Sequence, residues 1–430
     1  MNFVFEDVFN LSNFTSCKDI NKSGIPRFAI SPLFTSTQIY VNANNKHNEF
    51  GIYPASDELN EYVIATCVNH SPDDWTGHDP RVKSFFYYLN DKYLRDLRAG
   101  KAFLMLDQSL EGYQTPWLWD WFHKECQAWD VSPTRIIYVT GNMIADTVYE
   151  KWCDDNNVNV RMKVIPYPHF ELDMGMTTWG RNKENSVKKL PSFEDNLKYK
   201  IENPDKIKTY ACLNKRIRPH RVWFYHYLYY SGLLDKGLVS MNEFDKHTYE
   251  WEGKFFEHGK LDECASILPL LVYDTPNNVL DDNIYINRFP EKVVKDTFFT
   301  IISEAHCGDS DETMFLSEKT FKVIGCRHPF LIMGNKDSMA MMRKIGYKTY
   351  DGFIDEGFDK LPTHERLQYI IESIRKVDKI EDKIGWYKSL QETTEFNYGV
   401  IIDKLFRYPD AYIEMQNYCN MEKINKIKLI

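Results

Sequence analysis

Two Rossmann-like α/β domains followed by a helical tail are what this sequence predicts. Three observations carry that reading: short β-branched runs ending in polar residues, helix-length amphipathic stretches between them, and a length of 430 residues, too long for one core. The clearest stretch is 298–350. Residues 298–302, Phe-Phe-Thr-Ile-Ile, are β-branched and aromatic, too short for a helix, and end on Ser303 and Glu304, which reads as a strand. A Gly- and Asp-rich loop covers 308–312, and Ser317 is a good N-cap for a helix over 318–326. Pro329 stops that helix, residues 330–334 read as a buried parallel strand ending on a turn glycine, and a helix over 338–345 closes on Gly346.

The first half follows the same rhythm. Residues 62–68, 101–106, 135–140 and 162–165 are four strands separated by helix-length segments. Lys, Glu, Asn and Pro dominate 186–205, which reads as an inter-domain linker. Helices over 363–377 and 384–407 precede a Lys-rich terminus. The expected division is therefore 1–190 and 206–362 for the two domains, with the tail 363–430 crossing back onto the first.

Composition narrows the function. Apolar residues make up 43% and aromatics 15%, ample for packed sheets. An excess of 62 acidic over 53 basic residues gives a net charge of −9, which argues against bulk binding of nucleic acid. The nine cysteines are scattered, odd in number and without a C-x-x-C pair, so they read as reduced core thiols of a cytoplasmic protein. No basic-then-apolar leader and no window of membrane-spanning length occurs, so a soluble chain is expected. Phosphate-loop, nucleophile-elbow and H-E-x-x-H motifs are missing.

In doubly wound sheets ligands bind outside the carboxyl ends of strands, which gathers Glu304, the 308–312 loop and the helix start at Ser317, Glu318 and Lys319 on one rim. The unpaired N–H groups and positive dipole end of that helix suit an anion, and Lys319 adds a point charge for a phosphate. Glu318 is suited to ribose hydroxyls. Lys215, Arg216, Arg218, His220 and Arg221 open another helix, where cations oppose the dipole and a bound anion explains them better than solvent does. First-half strand ends hold further polar groups: Asp107, Glu111, Asn142, and His169 with Glu171. The aromatics Trp117, Trp119, Trp121 and Phe122 read as core packing. Asp309-Ser310-Asp311 is a D-x-D of the kind that holds a divalent ion, but it lies several residues beyond its strand, and a solvated loop is favoured.

The strand ending in Glu304, followed by Phe315-Leu316-Ser317-Glu318-Lys319, resembles the donor-site signature of α-1,3-fucosyltransferase-like enzymes. Residues 209–214 with Asn214, the basic loop and Arg221 opening a helix are similar to that family's strand, Asn, loop, Arg and helix. The resemblance covers about 206–359, departs from the family at Leu316-Ser317, and has no counterpart in the first half. It implies a GT-B type pair of Rossmann-like domains, with Arg221 and Lys319 on the donor diphosphate and Glu318 on the ribose. Asn214, Arg218, Glu304 and Ser317 complete the expected donor site.

The expected activity is inverting transfer of a sugar from a nucleotide-sugar co-substrate to a carbohydrate acceptor, with no divalent metal or other cofactor. Glu111 is the first candidate for the base, with Asp107 and His169 as substitutes. Two alternatives stand beside it. One is a glycosyltransferase acting on hydroxymethylated DNA bases, compatible with a Lys-, Asn- and Tyr-rich composition of viral type. The other is a non-catalytic carbohydrate-binding protein of the same fold.

Overall fold

In the computed structural model the described residues are 2–4, 51–53, 61–67, 84–112, 117–181, 189–250, 259–270, 272, 291–405 and 410–428. They form two compact units, each built on one parallel sheet. The first comprises 1–169, 312–315 and 405–430, and the second 170–311 and 316–404.

Six strands make the first sheet: β1 (Asn2–Val4), β2 (Gly51–Tyr53), β3 (Tyr62–Cys67), β4 (Ala102–Gln108), β5 (Ile136–Thr140) and β6 (Lys163–Pro166), in the order β2-β1-β3-β4-β5-β6. All pairs are parallel. Every residue of β4 is buried, as expected of a strand covered on both faces. Helices α1 (Asp91–Arg98), α2 (Leu118–Ala128) and α3 (Ala145–Asp155) accompany it. Trp119 and Phe122 of α2 pack against Tyr138 of β5, with ring centroids 5.9 and 5.2 Å apart, while Trp117 and Trp121 lie against the same core. Stretch 312–315 belongs here because Asn142 grips it: its Nδ2 donates to the Glu312 carbonyl at 2.7 Å and its Oδ1 accepts from Met314 N at 2.8 Å. Phe315 then fills the space beside Gly112, where a Cβ would meet its ring at 2.3 Å.

Helix α4 (His169–Arg181) leads into the second unit. There follow α5 (Phe193–Glu202), β7 (Lys208–Leu213), α6 (Pro219–Tyr230), β8 (Gly237–Ser240), β9 (Thr297–Ser303), α7 (Glu318–Gly325), β10 (Phe330–Met333), α8 (Ser338–Lys344), α9 (Thr363–Asp378), α10 (Lys383–Ser389) and α11 (Gln391–Lys404). The sheet runs β10-β9-β7-β8, all parallel, with Phe299 opposite Tyr210 and Thr300 opposite Phe330. Ser317 caps α7 as expected, and Gly346 takes a left-handed φ of +99° after α8.

Three expectations about the chain's organisation are corrected. Half of the linker expected at 186–205 is helix α5. Ser192 and Asp195 close a capping box at its start, and Phe193, Asn196 and Lys200 form its buried face. Glu171, placed by sequence on the first-half rim, is buried in the second unit, accepting Tyr347 Oη at 2.7 Å and Lys404 Nζ at 2.5 Å. The tail also divides: α9, α10 and α11 belong to the second unit, and only α12 (Asp410–Lys428) joins the first, through Tyr418 Oη to the Thr134 carbonyl at 2.9 Å and a Glu414–Lys163 ion pair. No helix among the described residues is long and apolar enough to cross a membrane.

Candidate functional site

Strand order places the site. In the second sheet β8 lies to one side of β7, and β9 and β10 to the other, so chain connections leave in opposite directions between β7 and β9. Such a switch point opens a crevice at the carboxyl ends of the two strands. The segment after β7 brings Asn214, Arg218, His220 and Arg221 there, and the segment after β9 brings Glu304 and His306.

Arg221 turns inward. It is 4% exposed; its Nε donates to Ser303 Oγ at 3.0 Å, one terminal nitrogen to the Ser303 and Glu304 carbonyls at 3.2 and 3.0 Å, and the other to the Arg216 carbonyl at 3.0 Å. Burial, with the charge of Arg218, brings its pKa down to about 10. The His220 ring also meets the Glu304 carbonyl, at 3.2 Å, and burial with the Arg221 charge pushes its pKa down to about 3. These two side chains stitch the start of α6 to the end of β9. The guanidinium expected on a diphosphate thus meets backbone carbonyls, because the end of β9 leaves acceptors that burial would otherwise orphan.

Glu304 is likewise used within the fold. Fully buried, its carboxylate accepts Ser317 N at 3.0 Å, Ser317 Oγ at 2.5 Å, Thr320 Oγ1 at 2.7 Å and its neighbour Ala305 N at 3.2 Å. Ser317, 2% exposed, takes the Lys319 backbone N–H at 3.4 Å. Of the amides at the start of α7, those of Ser317 and Lys319 and, through the Ser317 carbonyl at 3.2 Å, that of Thr320 are met by protein groups, which narrows the open helix end expected there. A carboxylate at a helix start satisfies the same dipole that a ligand would.

What faces outward is a smaller set. Lys319 is about one-third exposed, its Nζ within 3.0 Å of Ser317 Oγ and 3.2 Å of Glu318 Oε1. Burial disfavours the Glu318 carboxylate, but the charges of Lys319 and Lys322 outweigh it and hold its pKa below the usual value. Arg218 is half-buried at the N-cap of α6. Arg218 lies in the wall of a cavity of about 430 Å³ with Trp223, His306, Cys307, Asp309 and Thr363. Asn214 is buried, its backbone N–H on Ser240 and its Nδ2 3.4 Å from Cys212 Sγ.

Two residues that sequence reading passed over complete the site. His306 sits in the cavity wall. Arg366, 1% exposed, donates to the carbonyls of Leu361 and Gly308 at 2.6 and 3.1 Å and to Asp309 Oδ1 at 3.3 Å, holding the 307–309 loop. The signal for Arg366 was a cation in the first turn of a helix, the same that marked Arg221. Asp309 also accepts from Thr363 Oγ1 at 2.7 Å, and Asp311 pairs with Lys336 at 3.2 Å. Both D-x-D carboxylates therefore have cationic partners.

The base candidates lie in the first unit. Asp107 falls inside β4, not after it; it is fully buried, with its Oδ1 accepting Ser109 N at 2.9 Å. Glu111 follows the strand and is half-buried, its carbonyl accepting Gly141 N at 3.0 Å. His169 is the first residue of α4, also half-buried. Of the residues expected at a donor site, Arg221, Glu304, Ser317 and Lys319 form one connected chain of hydrogen bonds across nearly a hundred residues of sequence, and Arg218 and Glu318 act on Arg221 electrostatically.

No protein-family model matches the chain, and no curated protein matches it in sequence. Among solved structures, α,α-trehalose 6-phosphate synthase from Burkholderia multivorans aligns over 93% of this chain and 76% of its own, at 9% identity and a TM-score of 0.44. The N-terminal domain of Candida albicans trehalose-6-phosphate phosphatase aligns over 88% and 74%, at 9% identity and 0.43. An α1,3-fucosyltransferase aligns over 95% and 82%, at 11% identity and 0.33. The fold class, α/β with two Rossmann-like parallel sheets, stands on this chain's own strand order.

Proposed function

We propose that the second unit binds a nucleotide-sugar donor by its diphosphate, and that the protein is a glycosyltransferase acting on a carbohydrate acceptor with inversion and without a divalent metal. The observation that supports this best is the cavity at the β7/β9 switch point with Arg218 and His306 in its wall, where the charge of Lys319, paired with Glu318, acts on His306. Lys319 and Arg218 supply positive charge for phosphate oxygens, and Glu318, kept ionised by its lysines, accepts ribose hydroxyls. Arg221, Glu304 and Ser317 hold that arrangement in place.

The test is a panel of sugar nucleotides scored for binding and slow hydrolysis. Lys319→Ala is expected to weaken donor binding and turnover about tenfold or more, since a hydrogen bond to a charged group contributes about 1.5–3 kcal/mol. Equal affinity in this variant and the parent would sink the assignment. Excess chelator is expected to leave turnover unchanged, because Arg218 and Lys319 already offset the charge of the leaving diphosphate. Activity lost to chelator and restored by manganese or magnesium contradicts that expectation.

For the base we propose Glu111, because Asp107 has no exposed surface and Glu111 does. Glu111→Gln should cut turnover at least about a hundredfold, the usual contribution of a general base, while donor affinity stays as it was. A variant that keeps its rate moves the role to His169.

A further inference from the structure

His306 stands two residues past Glu304 on the loop leaving β9, half-buried in the wall of the cavity that also carries Arg218. Burial and the charges of Arg218, Lys319 and Arg221 bring its pKa down to about 4, so the ring is neutral near pH 7. Besides Arg218, three other titratable groups share the wall, His220, Cys307 and Asp309, and Asp309 is already paired with Arg366 and Thr363. His220, on α6, contributes a neutral ring, and Glu318 is engaged by Lys319. The field acting on His306 is therefore cationic from the α6 side and from α7.

A polyanion in the cavity reverses that field. Its charge offsets the three cations, and protonation then turns an imidazole with one N–H into a cation with two. We infer that His306 is a further binding residue of this site, taking up a proton from solvent as a diphosphate enters and donating a hydrogen bond to a phosphate oxygen as imidazolium. No bond within the ligand is made or broken in this step. The inference rests on the donor-site reading above and adds to it a proton carried in with the ligand.

Ring C–H signals of His306, assigned by their loss in His306→Gln, provide the test, with inorganic pyrophosphate as the probe. In the free protein they are expected to keep the neutral position from about pH 8 to about pH 5. At saturating pyrophosphate the midpoint should rise by about two units, and His306→Gln should bind the probe about tenfold more weakly than the parent near pH 5, with little difference near pH 8. A purely structural role would weaken binding equally at both pH values. Binding that depends on Lys319 while the His306 signals stay fixed overturns the inference alone. If pyrophosphate fails to bind at all, the donor-site reading falls, and the inference with it.

Discussion

Glu304→Ala is expected to lower the stability of the second unit by about 3–5 kcal/mol, the largest effect of any single change at the site. The substitution strips the acceptor from two backbone N–H groups and two hydroxyls, all beside a fully buried side chain. Each buried donor left without a partner costs about 1–3 kcal/mol, and the lost carboxylate leaves a cavity besides. Ser317 and Thr320 hydroxyls can turn to other acceptors, but the Ser317 and Ala305 amides cannot. Glu304→Gln keeps the shape and one acceptor oxygen, so it should lose about half as much. The midpoint of thermal unfolding and hydrogen exchange of the Ser317 amide report both variants. A loss under about 1 kcal/mol for the alanine variant would mean the carboxylate does not clamp α7 to β9.

Arg221→Ala is expected to act through the fold and through binding together. It removes four hydrogen bonds and leaves the carbonyls of Ser303 and Arg216 unmet, at about 3 kcal/mol of stability. The β9 end that carries His306 then keeps only the His220 contact to α6, and donor affinity should fall by at least as much as in Lys319→Ala. The two variants separate placement from contact: Lys319→Ala should keep the unfolding midpoint of the parent, and Arg221→Ala should not. Full stability in Arg221→Ala together with a loss of donor binding would return its guanidinium to the ligand.

Elements set by neighbours in sequence were legible. The β-branched run of β9, the Ser317 cap, Pro329 and the left-handed Gly346 are local choices, so their places could be read within a residue or two. Helix α5 was missed because its polar composition outweighed a Ser192–Asp195 capping box that the same stretch displays.

The sequence by itself determined that two parallel α/β sheets form, and that basic residues at the start of α6 and a Ser-Glu-Lys at the start of α7 sit at strand ends. Only the tertiary structure decided which of those charges face a ligand. Arg221 and His220 go inward because the carbonyls at the end of β9, more than eighty residues further on, need donors once the sheet closes over them. Arg218 and Lys319 stay partly exposed, one in the cavity wall and the other paired with Glu318, and His306 and Arg366 gain their roles only where loops distant in sequence meet. Desolvation is the reason: a buried polar group must find its partner wherever the fold supplies one, and that partner is not written next to it in the chain.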